Sequence, residues 1–184
     1  MAKVDKKLYE EKVSSREIFK GKILKLYFDQ VRLPNNKITT REKVEHPGAV
    51  AVVPLNQENE VILVKQYRYP VDIVLIEIPA GKLDGREPPI DCAKRELKEE
   101  VGGQGGNFIH LAQVFTSPGF SNEKMDIYLV QDFEEKENNL DDDEFLHVIK
   151  IKLEDCLKMI KNGEINDAKS IIGIMMARDY LEIE

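Results

Sequence analysis

Residues 81–103 read GKLDGREPPIDCAKRELKEEVGG, and the rest of the chain is organised around them. Pro88 and Pro89 suit the opening turn of a helix, where a missing backbone N–H costs little, and Gly102 with Gly103 suits its end. A helix of about four turns fits between them. At helical spacing Ile90, Ala93, Leu97 and Val101 make one apolar stripe, and Glu96, Glu99 and Glu100 fall together on the adjoining face. Like charges at these spacings repel by roughly a few tenths of a kcal/mol per pair, so the cluster is a local cost. A solvated surface helix is the ordinary home for three such glutamates. A hard divalent cation is the alternative, and an oxygen-only ligand set with no His or Cys on the same face suits Mg²⁺ or Mn²⁺ rather than zinc.

Working outward, the 184 residues, 42% of them hydrophobic and 7% aromatic, suit one globular domain with a small appendage. The net charge of −7 argues against a nucleic-acid or anionic-membrane surface, because both need clustered Lys and Arg. Cys92 and Cys156 make no C-x-x-C pair, which argues against a zinc site and a structural disulfide. No apolar run approaches membrane-spanning length and residues 1–12 lack a signal-peptide core, so the cytoplasm is the expected location.

Residues 1–46 read as a β-rich segment: strands over 17–20, 23–33 and 38–44, with Pro34, Asn35 and Asn36 as a hairpin turn. Alternation sets Leu24, Leu26 and Phe28 on one face and Lys25, Tyr27 and Asp29 on the other. So small a sheet needs something to pack on, either the main domain or a second subunit. His46, Pro47 and Gly48 mark the boundary, and residues 47–184 form the main domain. Within it, 49–55 and 61–67 are nearly all apolar and read as strands covered on both faces. A strand ending at Gly81, strands over 108–115, 124–131 and 145–152, and helices over 154–161 and 166–181 complete a mixed α/β sandwich. Residues 132–144 carry eight carboxylates against one Lys and read as a solvated loop. Its D-x-D-x-D-G spacing is absent, which removes an EF-hand calcium site.

Gly81, five residues, Glu87, seven residues, then Arg95-Glu96-Leu97, Lys98, Glu99-Glu100, Val101 and Gly102 resemble the Nudix box, G-x5-E-x7-R-E-U-x-E-E-x-G-U, where U is a bulky apolar residue. Only the last position departs, with Gly103 in place of the apolar residue; it is not a ligand position, so the departure concerns packing after the helix. VKQYRYPVDIVLIEIPAG before the box, SPGFSNE and DDDEFLHV after it, and GEINDAKSI near the end resemble the ADP-ribose pyrophosphatase branch of the Nudix hydrolases. The resemblance implies the Nudix fold, a mixed-sheet α/β/α sandwich, carrying here a small N-terminal antiparallel β segment. It implies Mg²⁺-dependent hydrolysis (Mn²⁺ as a substitute) of ADP-ribose to AMP and ribose 5-phosphate; the runner-up is another nucleoside diphosphate derivative, such as an ADP-sugar, a GDP-sugar or a dinucleotide.

Carried over residue by residue, the resemblance makes Glu96, Glu99, Glu100 and the Ala80 carbonyl the metal ligands. Glu99 and Arg95 count with the catalytic set, Arg95 as the partner of Glu87. Arg68 would hold the diphosphate and Glu77 would shape the nucleoside end, with Gly119 and Glu123 of the SPGFSNE run beside the substrate. Branch members exchange their N-terminal sheets, which implies a homodimer, and one of Phe19, Tyr27 and Phe28 would stack on adenine. The general base would be Glu144, directly before Phe145, with Asp142 and Asp143 as neighbours able to take its place.

Overall fold

The computed structural model of the chain describes residues 5–138, 140 and 145–183. It divides into two compact units: Met1–Gly48 with Phe115–Glu123, and Ala49–Val114 with Lys124–Glu184.

In the first unit three antiparallel strands, β1 (Glu11–Lys20), β2 (Lys25–Arg32) and β3 (Ile38–Glu45), form a sheet in chain order. Asn36 sits at φ 65° in the tight turn between β2 and β3, a conformation that asparagine tolerates. Strand β1 starts six residues before the sequence pattern placed it. Its residues are exposed throughout, so pairing with β2 and not an apolar face makes it a strand. The expected alternation along β2 also differs: Asp29 and Val31 are buried, whereas Leu24 just before the strand is exposed. Asp29 tolerates this position because Ser15 Oγ donates to it at 2.5 Å. Residues 115–123 pack on β3, where Val44 N–H donates to the Phe120 carbonyl at 2.7 Å and His46 N–H donates to Asn122 Oδ1 at 2.8 Å.

The second unit holds two sheets. One is β7 (Ala80–Lys82), β4 (Ala49–Pro54), β9 (Lys124–Glu135) and β8 (Gly103–Phe115) in spatial order; the other is β10 (Leu146–Lys152), β5 (Glu60–Arg68) and β6 (Ile73–Glu77). The β4–β9 pair is parallel, whereas β4–β7, β5–β6 and β5–β10 are antiparallel. Strand β4 is buried along its whole length, and its side chains serve two cores in turn. Ala51 and Val53 join Ile127, Leu129, Cys156, Ile165 and Ile174, under α2 (Leu153–Asn162) and α3 (Ala168–Ile183). Val50 and Val52 join Cys92, Ala93, Leu97 and Val101 of α1 (Pro89–Val101) on the other face. Helices therefore cover both faces of the sheets, giving a mixed α/β/α sandwich with α1 alone on its side.

Two boundaries move relative to the sequence reading. Strand β9 continues to Glu135, into the acidic run, because Phe133 packs against the α1 core and Asp132, at φ 56°, lets the strand bend there. Strand β8 begins at Gly103 and not at residue 108; a Cβ at Gly106 would meet the Gln131 carbonyl at 2.8 Å, so the glycines permit a close approach of the two strands. Cys92 and Cys156 are free and buried, and burial pushes both thiols up to about 12.

Candidate active site

Helix α1 is set by its ends. Pro88 is its extended N-cap, Pro89 opens the first turn, and Gly102 closes it in the left-handed conformation at φ 71°, its N–H donating back to Lys98. The space beside Gly102 is taken by the Lys136 carbonyl, which a Cβ would approach to 2.0 Å, and Lys136 N–H donates to Gly102 O at 2.9 Å. Asn138 Nδ2 caps the Glu100 carbonyl at 3.2 Å. Gly103, the one departure from the box pattern, is filled from within: Leu97 Cγ would lie 2.7 Å from a Cβ placed there. Leu97 thus occupies the volume that an apolar side chain after the box would claim.

The helix brings Glu96 and Glu100 to the β7 edge, with Glu99 beside them on Arg95. Glu96 and Glu100 are buried, while Glu99 remains partly exposed. Glu100 Oε2 accepts from Ala80 N–H at 3.2 Å, and the Glu96 carboxylate lies against Gly81, where a Cβ would stand 1.8 Å from Oε1. The box glycine is therefore the floor on which Glu96 rests. Arg95 ties the loop to the helix: Nη1 donates to Glu96 at 2.7 Å and to Glu99 at 2.9 Å, while Nε and Nη2 each reach Glu87 at 3.3 Å. Burial opposes the charge on Arg95, but its hydrogen bonds and the surrounding carboxylates outweigh that and raise its pKa; the Arg95 hydrogen bond in turn holds Glu87 below the usual carboxylate range.

Among the described residues no three His, Cys, Asp or Glu side chains converge as a finished metal cage. The donor set nonetheless fits a hard divalent cation. Three carboxylates and the Ala80 carbonyl offer only oxygen, two of the carboxylates are buried, and the missing Gly81 side chain lets the Glu96 carboxylate lie directly against the β7 backbone. Arg95 neutralises Glu96 and Glu99, the two carboxylates that would share a bound cation with Glu100.

Arg68 and Glu77, at the ends of β5 and β6, are joined in a bidentate pair, Nε to Oε1 at 2.8 Å and Nη2 to Oε2 at 2.7 Å. Burial would raise the Glu77 carboxyl, yet the Arg68 hydrogen bonds and the Lys169 charge hold it below its usual value. Arg68 also feels the charge of Glu100, so the pair stands in the field of the glutamate helix. Lys169 Nζ contacts Glu77 Oε2 and was not singled out by the sequence reading, since one lysine in a helix carries no pattern. Its neighbour Asp167 was more legible: Asn166-Asp167 before a helix reads as an N-cap, and Asp167 Oδ2 accepts from Ser170 N–H at 3.0 Å. Phe28, Gly119 and Glu123 belong to the other unit. There Phe28 lies under the Arg16 guanidinium at 5.7 Å, and Glu123 accepts from Thr116 Oγ1 at 2.6 Å. Glu144, with Asp142 and Asp143, lies outside the described residues.

A layered α/β fold that buries two glutamates of one helix against a backbone edge offers the oxygen-only donor set that a metal-assisted hydrolase would use. The chain belongs to the NUDIX domain family, which it matches over residues 45–171, and residues 10–44 match the Nucleoside diphosphate sugar hydrolase N-terminal domain. It is 40% identical to the ADP-ribose pyrophosphatase of Bacillus subtilis, over 97% of this chain and 96% of that one. It is 41% identical to the Methanol dehydrogenase activator of Bacillus methanolicus, over the same shares. The crystal structure of an ADP compounds hydrolase superposes with a TM-score of 0.84, covering 95% of this chain and 96% of that chain at 21% identity, which speaks to the fold alone. The protein is thus a Nudix hydrolase, of a family generally dependent on divalent metal. No helix among the described residues is long and apolar enough to cross a membrane.

Proposed function

We propose that this Nudix hydrolase cleaves the diphosphate bond of ADP-ribose, giving AMP and ribose 5-phosphate. The observation that supports it most is the pair of buried carboxylates, Glu96 and Glu100, held against Ala80 and Gly81 in a chain 40% identical, over nearly its whole length, to an ADP-ribose pyrophosphatase. Glu96, Glu99, Glu100 and the Ala80 carbonyl would hold Mg²⁺, with Mn²⁺ as a substitute. When bound, the metal supplies charge neutralisation on the phosphate oxygens and acidifies water. Arg95 orients: it holds Glu87, Glu96 and Glu99 in one array and keeps the carboxylates apart. Arg68 holds the diphosphate and Glu77, its ion-pair partner in this structure, shapes the nucleoside end.

Water adds to one phosphorus, the bridging oxygen leaves with the other phosphate, and a base must take the water's proton. The metal-binding glutamates are poor bases once their lone pairs are engaged. We assign that role to Glu144 on the sequence resemblance alone. The N-terminal segment, residues 1–46, makes a homodimer and brings one aromatic side chain, from among Phe19, Tyr27 and Phe28, to the adenosine end, and Gly119 and Glu123 bind substrate. The cytoplasm, where buried thiols such as Cys92 and Cys156 stay reduced, is the assigned location. Turnover of ADP-ribose with Mg²⁺, with products resolved by ion-exchange chromatography, tests the reading; AMP and ribose 5-phosphate in equal amounts are expected. A relative named GDP-mannose pyrophosphatase, from Enterobacter sp. and 31% identical over 91% of this chain and 95% of that one, favours a second reading, in which another nucleoside diphosphate derivative is the better substrate. A panel of ADP-sugars, GDP-sugars and dinucleotides ranked by kcat/KM separates the two.

A further inference from the structure

Among the described residues Glu77 is the most secluded carboxylate, 1% exposed, and two cations serve it. Arg68 holds it with two parallel hydrogen bonds. Lys169 reaches the same carboxylate from the first turn of α3, and its own setting is rigid. Lys169 Nζ also donates to Asp167 Oδ2 at 3.0 Å. Asp167 Oδ2 further accepts from Ser170 Oγ at 2.6 Å, and Ser170 Oγ in turn accepts from Ile78 N–H at 2.9 Å. This chain of bonds clamps α3 to the backbone directly after Glu77. The two cations differ in exposure: the Lys169 side chain is 12% exposed and the Arg68 side chain 40%. Arg68 Nη1 makes no hydrogen bond among the described residues.

A lone Arg–Glu pair with its carboxylate buried locks itself, because withdrawing the guanidinium strands an uncompensated charge. A second, permanently seated cation removes the lock. Lys169 leaves Glu77 neutralised whether or not Arg68 stays in place. We propose that Lys169 is a positioning residue that, by its buried ion pair with Glu77, releases the Arg68 guanidinium to bind the diphosphate of the substrate. The inference rests on the assignment of Arg68 to the diphosphate made above. Lys169 itself need not touch substrate.

The test is steady-state kinetics with ADP-ribose and Mg²⁺ on Arg68→Gln, Lys169→Met, Lys169→Arg, Glu77→Gln and the Glu77→Gln/Lys169→Met double variant, each with its melting curve. Lys169→Met is expected to raise KM about tenfold with kcat changed less than about twofold, the split that marks lost ground-state binding. Lys169→Arg, which keeps the charge, is expected to restore most of that KM. In the Glu77→Gln background no buried carboxylate at position 77 holds Arg68, so adding Lys169→Met is expected to leave KM where Glu77→Gln alone puts it. This double variant leaves no charge at position 77, and Asp167 keeps its two hydrogen bonds from Ser170, so it reports even if Lys169→Met melts early. A tenfold rise that persists in the Glu77→Gln background overturns the inference, because Lys169 would then act on packing or on the substrate directly. A normal KM for Lys169→Met beside a raised KM for Arg68→Gln overturns it while leaving Arg68 on the diphosphate. A normal KM for Arg68→Gln removes both together.

Discussion

Glu100 is buried at the end of a helix and accepts a backbone hydrogen bond from Ala80 N–H. A glutamine fills the same volume, and its side-chain oxygen still accepts that bond. Glu100→Gln also relieves repulsion with Glu96 one turn away, worth roughly a few tenths of a kcal/mol. The expected result is metal-free melting at or above wild type, with activity down about 10²-fold or more through loss of a metal-binding carboxylate; a lower apo melting point with activity retained would contradict the assignment. The base assignment makes a separate expectation. Glu144→Gln should lower kcat by roughly 10²-fold at nearly constant KM, within the usual range for general-base loss. If Asp143→Asn fails instead and Glu144→Gln does not, the role belongs to Asp143. Glu77 adds a pH effect. Its folded pKa lies below the ordinary 4.5, so the stability it brings is complete above about pH 4.5 and is lost as pH falls through the folded value. Acid unfolding followed by circular dichroism should therefore be shallower below that pH in Glu77→Gln than in wild type. At this scale the sequence was readable where residues come in a fixed pattern, as with Glu96, Glu99 and Glu100. Lys169 was not readable, because its partner Glu77 is 92 positions away and no local spacing announces a contact of that kind.

At the scale of elements, α1 was the most legible part of the chain, since its prolines, its glycines and its apolar stripe all point to one helix. The strands were legible in existence and less so in extent. Strand β1 carries no alternation and β9 runs through a string of carboxylates, so pairing partners and one buried Phe133, none of them local, decide both. What no periodicity discloses is how tightly an element fits its neighbour, and β7 shows this best. Gly81 lies under Glu96 with no space for a methyl group. Gly81→Ala is expected to push the Glu96 carboxylate off its seat, since a Cβ would stand 1.8 Å from Oε1. Because Glu96 is a flexible side chain that can swing toward Arg95, the stability loss should stay within about 1–3 kcal/mol, the usual range for overpacking. Activity should fall much further, because the displaced carboxylate leaves the position from which it would hold the metal. Urea unfolding and kcat/KM measured on the same preparation check both halves; equal activity with a displaced melting curve would show that Glu96 does not work from this seat.

On the scale of the whole molecule, the two units differ in how they satisfy their apolar residues. The second has two continuous cores, one on each side of β4. The first contributes Val31 alone to the buried hydrophobic residues of the described chain, while Val13, Ile18, Phe19 and Ile38 on its strands stay exposed. A three-stranded sheet with one buried apolar side chain cannot supply its own stability, and a row of exposed apolar residues on a long strand invites association. A second copy of the chain is the occupant that agrees with the family resemblance, and it makes oligomeric state a measurable consequence of the exposed β1 strand. Wild type is expected to be a dimer at micromolar concentration by light scattering. Ile18→Asp with Phe19→Asp should shift it to monomer, because burying two unpaired carboxylates in an apolar contact costs several kcal/mol. If Phe28 works at the adenosine end of the partner's site, the same double variant should lose ADP-ribose affinity although neither changed residue lies on α1, and KM should then fall with rising protein concentration. A monomeric wild type with full activity would end the dimer assignment and return the N-terminal sheet to a role within its own chain.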